Sequence, residues 1–174
     1  ADPCEESPLP GAQEEGEAVA RLFDRYREGG AELEVVRLLG PGEATRVTVL
    51  DCLVNQRFDL LHYAGHCYYN KEEPARSGWL FSRGEILSAN ELSRIDRVPR
   101  FVFSNACESG ITPDRAEERH AALAPSFAEA FFGRGVGNLI CTAWPVDDAA
   151  ALAFAMRVYE GLLGLDGGAE SLHE

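Results

Sequence analysis

"FVFSNACESG", residues 101–110, decides how this chain is read. An apolar run of this length, without polar alternation, describes a strand buried on both faces, as in a parallel sheet covered by helices. It stops at Cys107, where turn residues would be expected. A second compact run, FDLLHYAGH at 58–66, stops in the same way at His66. GWLF at 78–81 and NLICTAW at 138–144 supply two further strands, and the AELEVVRLLG stretch predicts a short one at 33–38.

Helical patterns separate these runs. AQEEGEAVARLFDRYREGG, 12–30, spaces Ala18, Leu22 and Tyr26 along one face and ends at two glycines. GEATRVTVLDCLVNQ, 42–56, is rich in β-branched residues, yet Val47, Leu50 and Val54 fall on one helical face, and helix is the expectation. SRGEILSANELSRI, 82–95, reads as a turn at Gly84 and a helix capped by Ser88, with Glu91 at the capping-box position. APSFAEAFFGRG, 124–135, and PVDDAAALAFAMRVYEGLLG, 145–164, complete the helices. ADPCEESPLPG, CYYNKEEPARSG and ESGITPDRAEERH read as loops. The fold class expected is α/β, a mostly parallel sheet between helices, where sites gather at the carboxyl ends of strands.

The chain has 174 residues and a net charge of −13, with fifteen arginines and a single lysine, Lys71. One domain spanning 1–174 is expected. Its acidity opposes a nucleic-acid partner, which needs clustered cations, and no apolar stretch is long enough for a membrane span. Five cysteines without regular spacing (4, 52, 67, 107 and 141) fit reduced thiols in the cytoplasm. The first residue is not methionine, and AESLHE reads as the opening of another helix. A piece of a longer polypeptide is therefore expected.

If the strands ending in His66 and Cys107 are parallel neighbours, imidazole and thiol emerge together. The thiolate is the nucleophile, with a free pKa of about 8.5, and an imidazole of pKa about 6.5 can take its proton and return it to a leaving amine. A structural free cysteine stays open as the alternative, in an ordinary flavodoxin-like protein. His62, His66 and Cys67 lack a fourth ligand at zinc-like spacing, so His62 is expected in the core or behind the site. GRGVG at 133–137 follows a helix and precedes a strand, the reverse of a dinucleotide turn.

LPGAQEE, GEAT, DLLHYAGH, SGWLF, LSANEL, NACESG and TAWPVDDAAA follow one another across nearly the whole chain. This ordered set resembles CHAT domains, the caspase- and separase-like cysteine peptidases of bacteria, often attached to tetratricopeptide repeats. The resemblance implies a caspase-like fold and a cysteine endopeptidase acting in regulated proteolysis, with Cys107 as nucleophile and His66 as base and acid. It implies an oxyanion hole from the backbone at Cys67, with Gly65 beside it. Family members usually carry glycine at the position of Cys67, where a side chain disfavours positive φ. A binding or regulatory module with an impaired site is the alternative that this departure raises. Asp147, Asp148, Ser109 and Trp144 are the implied substrate-binding residues, with Asp148 lining a pocket for a basic side chain. The competing reading of the two acids is a helix N-terminus. The partners implied are a protein or peptide substrate and a sensor or tetratricopeptide domain in the parent protein. No cofactor or metal is implied. Such domains usually begin with a further apolar strand, just before the ADP that opens this chain.

Overall fold

A computed structural model describes residues 1–68, 70, 72–92, 94–107, 131–133, 135–142 and 146–165, with only the backbone at Pro74 and Cys107. Its helices are α1 (Pro10–Glu28), α2 (Gly40–Glu43), α3 (Arg46–Asn55), α4 (Ala89–Leu92) and α5 (Asp148–Leu162). The strands are β1 (Leu60–Tyr68), β2 (Gly78–Leu80), β3 (Ile86–Ser88), β4 (Phe101–Cys107) and β5 (Asn138–Cys141). They form a five-stranded mixed sheet in the order β3-β2-β1-β4-β5. β1, β4 and β5 run parallel, and the β2–β3 hairpin adds antiparallel strands to the edge of β1.

Side chains alternate between the two faces of a strand, so odd and even positions build different layers. Tyr63, Cys67, Val102 and Ala106 join Leu53, Trp79, Phe81, Leu87 and Phe131 in one core cluster. Leu60, Phe101 and Phe103 join Val19, Leu22, Ala155 and Tyr159 in the other, beneath α1 and α5. The expected α/β architecture, with helices over both faces, is present.

Several local expectations are met and several are corrected. The helix over 42–56 forms as α3, capped by the Thr45 hydroxyl on the Thr48 N–H. Its buried side is Val49, Leu50 and Leu53, whereas Val47 and Val54 are exposed. The spacing therefore identified the helix but included two residues of its outer side. Ser88 and Glu91 form the expected capping box, the Ser88 N–H donating to Glu91 and the Glu91 N–H to the Ser88 hydroxyl. Ile86–Ser88 is a strand that was not expected. Three residues carry too little pattern to reveal pairing with a hairpin partner.

The strand expected at 33–38 does not form. A cavity of about 500 Å³, lined by Leu33, Val35, Leu60, Leu61 and Tyr63 among others, lies between this segment and β1. The segment takes no part in the described sheet, whose strands are β1 to β5. Leu38 and Gly40 instead bond to the first residue, the Ala1 amine donating to the Leu38 carbonyl and the Gly40 N–H to the Ala1 carbonyl. Arg37 is held to Asp24 of α1 at 2.5 Å. The helix expected over 124–135 and the loop over 108–120 lie largely outside the described residues, as does the resemblance's preceding strand.

Candidate active site

β1 does not end at His66, as its apolar run implied, but continues through Tyr68 to pair with β2. What ends there is the ladder with β4. The parallel register runs from Leu60↔Phe101 to His66↔Cys107. Adjacent strands lie about 4.8 Å apart, so the last paired position sets the histidine and cysteine backbones side by side. Positions 103, 105 and 107 share one face of β4 by the two-residue period, the face to which positions 62, 64 and 66 belong on β1.

The His66 ring is 1% exposed. Its Nε2 lies 2.7 Å from the Ser7 carbonyl oxygen. A carbonyl can only accept, so Nε2 carries a proton, and Nδ1 is the ring atom at which the second proton comes and goes. Residues 1–9 read as a loop in the sequence, yet they are anchored on two sides. The Asp2 N–H donates to the Ala64 carbonyl of β1, and the Leu9 N–H donates to the Asp2 carboxylate. The Ser82 N–H donates to the Pro3 carbonyl, and the Arg83 N–H to Glu6, which holds the Glu6 carboxyl below its usual range. These bonds fix Ser7 over the imidazole. Sequence reading missed it because a backbone carbonyl leaves no residue-type signature.

Cys67 is 3% exposed and belongs to the opposite layer, its thiol 3.5 Å from the Ala106 carbonyl. Among the described residues only Asp2 and Arg83 are non-glycine positions with positive φ. The strain expected from replacing glycine at 67 is therefore absent, because the residue sits in extended strand backbone. Gly65 lies within the ladder, opposite Ala106. A Cβ there would approach Pro3 Cδ to 2.8 Å and the Tyr63 hydroxyl to 2.9 Å, which explains the glycine by close packing. The Tyr63 hydroxyl, whose pKa burial pushes up, has its one proton shared between the His66 and Leu80 carbonyls, 2.7 and 3.1 Å away.

Asp147 is the N-cap of α5, accepting from the Ala149 and Ala150 N–H groups. Both Asp147 and Asp148 are exposed, and the Asp148 carboxyl lies so close to Gly11 of α1 that a side chain at 11 would collide with it. Ser109 and Trp144 lie outside the described residues. His62 is largely covered beneath the sheet, as expected, with Nδ1 and the Tyr159 hydroxyl 2.9 Å apart. Among the described residues no cluster could hold a metal ion, and no helix is long and apolar enough to cross a membrane.

Fold and register together define an α/β domain that carries a histidine and a cysteine at the last paired position of two parallel strands. The chain belongs to the CHAT domain family, whose model matches residues 1–174, the whole of it. That family is associated with cysteine peptidase-like proteins. No curated protein and no solved structure matches the chain.

Proposed function

We infer that this is a caspase-like cysteine endopeptidase with Cys107 as nucleophile and His66 as general base and acid. The observation that carries the reading is the register His66↔Cys107, closing a parallel ladder at the carboxyl ends of its strands. The Ser7 carbonyl supports it by holding the proton on Nε2, which leaves Nδ1 to take the thiol proton. The thiolate adds to the peptide carbonyl carbon, and the C=O pair moves onto oxygen. Backbone N–H groups of Cys107 and of Cys67, one residue beyond the last ladder pair, meet that oxyanion. Gly65 serves by its packing under Pro3. The imidazolium, steadied by the Ser7 carbonyl, returns its proton to the leaving amine as the C–N bond breaks. Water, deprotonated by His66, then cleaves the thioester and releases the acid.

The rival reading, a binding or regulatory module with a spoiled oxyanion hole, draws its force from Cys67. A side chain buried in the opposite layer weakens that argument. A preference for Arg or Lys before the cleaved bond follows from the exposed Asp148 and the net charge of −13. The substrate is a protein or peptide, and a sensor or tetratricopeptide domain in a parent polypeptide would govern access to it in the cytoplasm. Digestion of a peptide library tests the activity: Cys107→Ala is expected to abolish every cleavage, and cleavage surviving it defeats the assignment. A purely aliphatic preference in the same library removes the pocket role from Asp148.

A further inference from the structure

Beneath the histidine–cysteine pair, on the same face of the sheet, lies a chain of buried and half-buried polar groups that the proposed chemistry does not use. Glu15 of α1 is 1% exposed. Its Oε2 accepts from the Asn105 side-chain amide at 2.6 Å. Its Oε1 lies 3.2 Å from His62 Nε2, within ion-pair range but out of line for a hydrogen bond. The Tyr159 hydroxyl of α5, pushed up by burial and by the Glu15 carboxylate and therefore neutral, lies 2.9 Å from His62 Nδ1. The His62 ring stacks on Phe103 with centroids 5.1 Å apart. Four elements are thus linked in one chain: α1 through Glu15, β4 through Asn105 and β1 through His62 at the carboxylate, and α5 through Tyr159 behind His62.

An interior carboxylate is costly unless its partners are fixed, and a charge-assisted bond of this length is directional. Asn105 stands two residues before Cys107, on the same face of β4. Fixing the Asn105 amide therefore fixes the end of the strand that presents the cysteine. The segment leading into the same helix reaches the histidine. Ser7, whose carbonyl holds the His66 ring, lies three residues before the start of α1 at Pro10. One continuous stretch, residues 7–15, thus bonds through Ser7 to His66 and through Glu15 to the strand of Cys107.

We propose that Glu15 is a positioning residue for the peptidase reaction: by clamping the Asn105 amide, it sets Cys107 against the imidazole that Ser7, just before α1, holds. The proposal rests on the dyad reading above, and the two fail in distinguishable ways. A misplacement of about 1 Å can cost about a hundredfold in rate, so loss of the clamp is expected to be visible in the reactivity of the thiol itself. The probe is iodoacetamide, with alkylation of Cys107 followed site by site by mass spectrometry at pH 6, where an ordinary thiol of pKa about 8.5 is almost wholly protonated.

In the native chain Cys107 is expected to react well above the rate of the same cysteine in denaturant-unfolded chain. Glu15→Gln is expected to lower that rate about tenfold or more, with folding checked by tryptophan fluorescence. Asn105→Ala is expected to do the same. The exchange Glu15→Gln with Asn105→Asp restores one carboxylate facing one amide, and is expected to recover most of the rate that Asn105→Asp alone loses. A merely structural cluster would recover stability in that exchange without moving thiol reactivity in folded single variants. Unchanged Cys107 alkylation in folded Glu15→Gln or Asn105→Ala overturns the positioning role and leaves the dyad standing. If native Cys107 reacts no faster than the unfolded thiol, the dyad reading falls and this proposal with it. Should Glu15→Gln fail to fold, Asn105→Ala and the exchange carry the test.

Discussion

The two faces of β1 are written in alternate residues of one strand, and they obey different physics. Tyr63 and Cys67 point into a layer built from Trp79, Phe81, Leu53 and Val102. His62 and His66 belong to the other face, which carries the Glu15–Asn105 bond and the Ser7 carbonyl. Both faces bury apolar and aromatic side chains, but the second also carries the directional Glu15–Asn105 and His62–Tyr159 contacts. The difference teaches how to read neighbouring residues: His66 and Cys67 are adjacent in sequence, yet they stand in separate layers.

Truncation on the apolar face should give the largest effect. Trp79 is fully buried, stacks on Tyr63 with centroids 4.5 Å apart, and donates its indole N–H to the Ser104 hydroxyl. Trp79→Ala is expected to cost about 3–5 kcal/mol in denaturant unfolding. A loss below about 1 kcal/mol would mean that this face is not the principal core.

A smaller change probes the seam between the faces. Tyr63 belongs to the apolar layer, but its hydroxyl reaches the His66 carbonyl. Tyr63→Phe keeps the ring and removes a buried donor shared by two carbonyls, so a loss of about 1–2 kcal/mol is expected. The loss should come with little change in near-ultraviolet circular dichroism from the aromatic stack. A collapsed aromatic signal would show that the hydroxyl, rather than ring packing, orders this layer.

The smallest effect lies outside both faces and serves as their control. Burial raises the Glu91 carboxyl, but bonds from the Ser88 N–H and hydroxyl and the charge of Arg46 outweigh it, so its folded value lies below the usual 4.5. The sign follows from linkage: the contribution is present above the unfolded value and is lost as pH falls through the folded one. Glu91→Gln is expected to flatten stability across that acid range by less than about 1 kcal/mol. An acid limb unchanged in the variant would assign it to other carboxylates.

The same two faces explain what was legible in the sequence. Long apolar runs revealed β1, β4 and β5, because strands covered on both sides need apolar residues at every position. The placement of His66 and Cys107 at matching ends of two runs anticipated their register. β3 and the unformed strand at 33–38 were misread because strand pairing depends on what lies alongside, which local pattern does not contain. Ser7 escaped notice because its contribution is a carbonyl. Glu15 escaped because an acid on an acidic helix looks solvated until the helix docks. The departure at Cys67 is legible only through the family's usual glycine, and the extended backbone there removes the conformational part of that concern.

The central claim is that His66 activates Cys107 for attack on a peptide carbonyl. A peptide acyloxymethyl ketone with lysine next to the reactive group tests it most directly, with the modified residue identified by mass spectrometry. The account predicts labelling at Cys107 and not at Cys67, abolished by Cys107→Ala and reduced at least about a hundredfold by His66→Ala, the lower end of the usual general-base contribution. Labelling confined to Cys67, or labelling of Cys107 that His66→Ala leaves unchanged, would contradict it.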